Sequence, residues 1–110
     1  MLRVDRFRPG AAVILYLKEP KERFWGVLRS LDATGVAVLG VELQSFDDWV
    51  RQVADRASPD ITASLVFFPL LRLEKILLDM PSGEIPSLVG SFESRTGRKL
   101  LEYLEIERPS

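Results

Sequence analysis

Three features of this 110-residue chain predict a mainly β single domain with added helices. Apolar segments of strand length recur along it, separated by turn residues such as Pro9-Gly10 and Asp32-Ala33-Thr34-Gly35. The most apolar passage, residues 66–79, is cut by Pro69, which lacks a backbone donor and pushes the preceding residue away from helix, so the chain turns a corner there. Residues 45–57 interrupt the strands with a helical period.

Composition sets the outer limits. With 46% apolar and 28% charged residues, the chain can build one core without staples. The net charge of −1 provides no global field to attract nucleic acid or an anionic membrane. There is no cysteine and no histidine, which removes thiolate chemistry, disulfides and the commonest neutral-pH base and metal ligand. A non-enzymatic role is therefore expected, with no cofactor and no metal. The basic N-terminus lacks an apolar stretch with a cleavage site, and no apolar run is long enough to span a bilayer, so a cytoplasmic location is expected.

In chain order, residues 12–18 read as a first strand, apolar on both faces. The connector Glu19-Pro20-Lys21-Glu22 suits a hairpin turn. Residues 23–32 form a second strand, with Phe24, Gly26 and Leu28 on one face and Trp25, Val27 and Leu31 on the other. Gly26 permits a bulge or sharp bend. Residues 36–43 complete a meander.

In the interrupting segment, Phe46, Trp49, Val50, Val53, Ala54 and Ala57 recur at three- and four-residue spacing, predicting an inserted helix over about 46–57. Ser45 is placed as its N-cap with Asp48 as capping-box acid, and Ser58-Pro59-Asp60 as its end. Phe46 and Trp49 are expected to pack on the sheet. Residues 61–68 read as a fourth strand, with Ile61, Ala63, Leu65 and Phe67 on one face.

Residues 70–78 favour helix by local propensity. Beyond a loop at residues 80–84, a helical extension (about 84–106) contains a helical segment over about 87–105. Ser87 caps it, Gly97 closes or kinks it, and its buried stripe comprises Val89, Phe92, Thr96, Leu100, Tyr103 and Leu104. Residues 108–110 are expected to fray.

Two stretches carry a family resemblance. Val13-Ile14-Leu15-Tyr16-Leu17-Lys18, then Gly26-Val27-Leu28 and Leu31-Asp32, then Val36-Ala37-Val38-Leu39, resembles the first Sm motif, including its glycine-to-aspartate spacing. Phe67-Phe68-Pro69-Leu70-Leu71-Arg72-Leu73-Glu74-Lys75-Ile76 resembles the second, in which a short strand turns directly into the last one. The likeness covers residues 11–43 and 61–79. It implies an Sm-like, SH3-type five-stranded small barrel with a core at about 11–79, and it makes residues 71–78 a strand against their propensity.

The resemblance also implies partners. Such domains assemble into rings by pairing the fourth strand of one subunit with the fifth of the next, which would put Leu65, Phe67, Leu71 and Leu73 at a self-association interface. Rings of this kind often hold single-stranded RNA, and the positions here that would contact it are Lys18, Lys21, Asp32, Thr34 and Arg72. The expected loop aromatic and asparagine are replaced by Ala33-Thr34-Gly35, and the corner carries Phe68-Pro69 in place of a Lys-His pair. The leading expectation is thus an oligomeric structural or interaction module; weak RNA binding through basic residues is the alternative. Further basic positions (Arg3, Arg6, Arg8, Arg95, Arg98 and Lys99) are interleaved with acids and read as solvated charge.

Overall fold

The computed structural model describes residues 6–56 and 60–107. Five antiparallel strands, β1 (Ala12–Leu17), β2 (Glu22–Asp32), β3 (Gly35–Glu42), β4 (Ser64–Pro69) and β5 (Leu73–Leu78), form one sheet in the order β4-β3-β2-β1-β5. Helix α1 (Phe46–Asp55) is inserted between β3 and β4; α2 (Leu88–Thr96) and α3 (Leu100–Glu107) follow β5. No helix among the described residues is long and apolar enough to cross a membrane.

The sheet is curled but open. Its outer strands, β4 and β5, are four strand spacings apart, roughly 19 Å if the sheet were flat. Yet Val66 and Phe68 from one, and Leu73, Ile76 and Leu78 from the other, join the same inner cluster around Val13, Leu15, Leu17, Leu28, Val36 and Val38. The link from Pro69 to Leu73 is four residues, about 14 Å at full extension. Curling brings the two edges near each other at that end without hydrogen bonds between them.

The other face is covered by helices. Trp25, Val27, Leu39 and Val41 pack beneath Phe46, Trp49, Val50 and Val53 of α1, Phe92 of α2, and Leu100 and Leu104 of α3. Trp49 is fully buried and stacks on Phe92 at 5.0 Å, with Trp25 5.7 Å away. Its Nε1 has no hydrogen-bond partner. An orphaned buried donor costs about 1–3 kcal/mol, which the burial of the surrounding rings offsets. The inserted helix is therefore a roof over its own sheet.

Several local expectations are corrected. Ser45 does not cap α1 with its side chain, because it ends a 3-10 turn (Leu43–Ser45) and has helical backbone angles. Asp48 pairs with Arg51 instead of closing a capping box. Arg56, in the left-handed region, ends the helix, and Ala54 faces solvent. Ala57, Ser58, Pro59, Arg3 and residues 108–110 lie outside the described residues.

The bulge of β2 falls between Leu28 and Ser30 rather than at Gly26, so Leu31 pairs with Val36 and changes face. Gly26 has a different task. It sits opposite Gly40, and a β-carbon on either would collide with the facing backbone. The fourth strand starts at Ser64 rather than residue 61. Gln52 Oε1 accepts the N–H groups of Asp60 (2.9 Å) and Ile61 (3.2 Å), which holds that segment to α1 and turns Ala63 into the helical cluster. The last strand begins at Leu73, because Leu70–Arg72 form a 3-10 turn across the open end.

The C-terminal segment behaves as two helices. Ser87 Oγ accepts the Gly90 N–H at 2.9 Å, and Gly97, at φ 72°, closes α2. Val89, Phe92, Thr96, Leu100, Tyr103 and Leu104 are all buried or half-buried, as the spacing predicts.

Candidate functional site

The structure draws its loops together at the Pro69–Arg72 corner. The Leu70 N–H donates to the Thr34 carbonyl (3.0 Å), joining the corner to the β2–β3 turn. The Lys18 N–H donates to the Arg72 carbonyl (2.8 Å), joining it to the β1–β2 turn. All five positions expected to touch RNA (Lys18, Lys21, Asp32, Thr34 and Arg72) thus gather at one end of the sheet.

Gathering does not make them free. Arg72 Nε donates to the Lys18 carbonyl (2.7 Å), and a terminal nitrogen donates to the Pro20 carbonyl (3.1 Å). The same guanidinium lies 3.5 Å from the Glu22 carboxylate and over the Phe68 ring. Its fork closes the end of the sheet. Asp32 is occupied as well, accepting from the Thr34 hydroxyl (2.6 Å) and N–H (2.8 Å). Those two bonds, the hydroxyl first, hold its carboxyl below the usual carboxylate range. Both residues build a turn. Only Lys18 and Lys21 of the five extend exposed and uncommitted side chains.

The expected interface positions divide. Leu65 is 61% exposed, Phe67 53% and Leu71 87%. Leu65 and Phe67 oppose Leu39 and Ala37 of β3, at a margin the helices do not cover. Leu71 stands on the 3-10 turn rather than on a strand. Leu73 packs against the inner cluster, so it belongs to the core and drops out of the exposed set.

Two constellations escaped the sequence reading. Asp79, just after β5, accepts from the Trp25 indole Nε1 (3.1 Å), the Leu88 N–H (2.8 Å) and the Val89 N–H (2.9 Å). With Ser87 it satisfies the first turn of α2 and ties that helix to the sheet. On the outer face, Tyr16 lies between Arg23 of β2 and Lys75 of β5. Strand alternation would have placed Tyr16, Arg23 and Lys75 outward, but only the pairing of β1 with both neighbours makes them a row. Among the described residues, no group of three or more carboxylates is placed to hold a metal ion.

No family model matches the chain, and no curated protein or solved structure matches it.

Proposed function

We propose that this protein is a non-enzymatic Sm-like module that assembles into a ring by pairing β4 of one copy with β5 of the next. One observation carries this reading. The sheet is open, and the strand on its β4 side presents an unpaired edge flanked by exposed Leu65 and Phe67. Unprotected apolar edges are templates for another chain.

The two edges are complementary in kind. On the inner face, Val66 and Phe68 of β4 would continue the layer of Ile76 and Leu78 of β5. On the outer face, Leu65 and Phe67 would lie beside Leu77, itself exposed. A head-to-tail contact of this sort closes into a ring when its rotation allows. The sheet order and the short link between β4 and β5 also support the Sm-like reading.

Light scattering on the eluting protein tests it. The expected mass is a multiple of the 12.5 kDa chain greater than two, and the double variant Leu65→Lys/Phe67→Lys should reduce it to a monomer with an unchanged far-UV spectrum. A wild-type monomer at micromolar concentration overturns it.

A second reading, weak single-stranded RNA binding, is favoured by the convergence of the loops at the Pro69–Arg72 corner. With Arg72 engaged internally, Lys18 and Lys21 would supply the phosphate contacts. Titration of labelled RNA at low salt, where phosphate contacts are strongest, decides it; no binding there removes this reading.

A further inference from the structure

Tyr16 shares the helix-covered face of the sheet with Ile14 and Trp25, and forms a cross-strand row there with Arg23 of β2 and Lys75 of β5. The tyrosine is half-buried and the two cations are exposed. The Arg23 guanidinium lies 5.6 Å and the Lys75 ammonium 4.6 Å from the Tyr16 ring centroid. Among the described residues, neither cation forms an ion pair, and the Tyr16 hydroxyl makes no hydrogen bond.

The carboxylates near the row in sequence or space are turned away or engaged. Glu74 alternates with Lys75, and Glu42 pairs with Phe24 of the inner cluster, so both point to the opposite face. Glu22 faces Arg72. Of the carboxylates on the elements over the row's own face, Asp47 pairs with Arg95, Asp48 with Arg51, and Asp79 accepts from Trp25, Leu88 and Val89. The row therefore keeps a local positive charge in a chain whose net charge is −1. Its aromatic ring is not open to a stacked base, because the cations reach it from the strands on either side. What it offers a ligand is a guanidinium fork, an ammonium and a hydroxyl, a set of donors suited to a tetrahedral oxyanion. The row borders a cleft of about 800 Å³, lined also by Lys21, Leu43 and Gln44. That volume lies within the roughly 300–1,000 Å³ range of small-molecule sites and leaves room for more than the anion itself.

We propose that this row binds a phosphate group, free or carried by a small phosphomonoester. The Arg23 fork takes two of its oxygens, and Lys75 and the Tyr16 hydroxyl take a third. Lys75 belongs to an edge strand, but its ammonium leans over Tyr16 toward the middle of the sheet, and strand pairing engages the backbone of that edge. The site rests on neither the ring nor the RNA reading.

The test is an amide chemical-shift titration of the full chain with glycerol 3-phosphate, sodium phosphate, glycerol and sodium chloride at fixed ionic strength. The two phosphates are expected to give saturable shifts at Tyr16, Arg23 and Lys75, and glycerol and chloride none. Tighter binding of the ester makes the cleft the seat of its organic part; equal binding makes the phosphate ion itself the ligand. Arg23→Gln is expected to weaken phosphate about tenfold and Tyr16→Phe about threefold, the difference between losing a charged and a neutral hydrogen bond. Both residues lie on inner strands, so melting temperature and oligomeric mass should be retained, and the outcome is independent of whether the edges pair. Three results overturn the proposal: no saturable shift by about 20 mM phosphate, beyond which any affinity is marginal; chloride matching phosphate, which would mean screening alone; or binding indifferent to both substitutions.

Discussion

Replacing Asp79 with alanine should loosen the C-terminal helices from the sheet. The carboxylate receives three donors, one from the Trp25 indole and two from the first turn of α2. Hydrogen bonds to a charged acceptor contribute about 1.5–3 kcal/mol each, and loss of a helix cap costs about 1. The three do not add in full, because water can reach the part-buried N–H groups of Leu88 and Val89 once the carboxylate is gone. Trp25 is fully buried, and its indole N–H has less recourse. A net loss of about 2–4 kcal/mol follows, which for a domain of this size lowers the melting temperature by roughly 8–16 °C. Asp79→Asn keeps one acceptor oxygen without the charge and should fall between the two. Thermal unfolding followed by circular dichroism measures the shift, and hydrogen exchange at Leu88 and Val89 locates it. A fall of less than about 3 °C for the alanine variant, well under 1 kcal/mol, would refute the account of Asp79 as the tie between sheet and helices.

Two further outcomes follow from the corner. Arg72→Ala should cost about 1–2 kcal/mol, seen as a melting temperature lower by roughly 4–8 °C, and Arg72→Lys should restore little of it because an ammonium cannot span both the Lys18 and Pro20 carbonyls; equal stability of the lysine variant would contradict the clamp. Asp32, whose carboxyl is held below its ordinary value by Thr34, contributes stability above the unfolded pKa and loses it as pH falls through the folded one. Asp32→Ala should therefore melt below wild type at neutral pH, with the gap narrowing below about pH 4 and closing in stronger acid; a gap independent of pH would show that the charge is immaterial.

Legibility in the sequence follows distance along the chain. Helix α1 is readable because Phe46, Trp49, Val50 and Val53 carry the period of a single buried face. The ends of α2 are readable because Ser87 and Gly97 act within a few residues of themselves. Leu73–Leu78 defies local reading. Its leucines and charged residues favour helix, and its conformation is imposed by pairing with Val13–Leu17, some 60 residues earlier in the chain. The Arg72 clamp and the Trp25–Asp79 bond each span 52 to 54 residues, and nothing local announces them. The same holds for the candidate sites. Leu65 and Phe67 are apolar strand residues that resemble core positions, and only the extent of the helical layer decides that they stay outside. Leu73 resembles them and is inside, because the curl of the sheet turns its face inward.

The manner of the proposed self-association depends on the difference between the two edges. Strands that must remain unpaired are usually blunted by charge, proline or a bulge. On β5, Glu74 and Lys75 meet that description at one end only, where its pairing with β1 is irregular next to Leu17, while Ile76-Leu77-Leu78 at the other end carries no charge. On β4, the run Ser64-Leu65-Val66-Phe67-Phe68 contains no charge, and Pro69 occupies only its last position. An unprotected β4 could pair with β4 of a second copy, giving a two-fold dimer, or with β5 of the next, giving a ring. Pairing β4 with itself would leave Leu77 exposed on a free β5 edge, whereas pairing β4 with β5 covers Leu65, Phe67 and Leu77 together and leaves no edge open. The second arrangement removes more apolar surface per copy, at about 25 cal/mol for each Å². The mass therefore separates them: two copies would mean β4 against β4, and a larger closed number would mean β4 against β5.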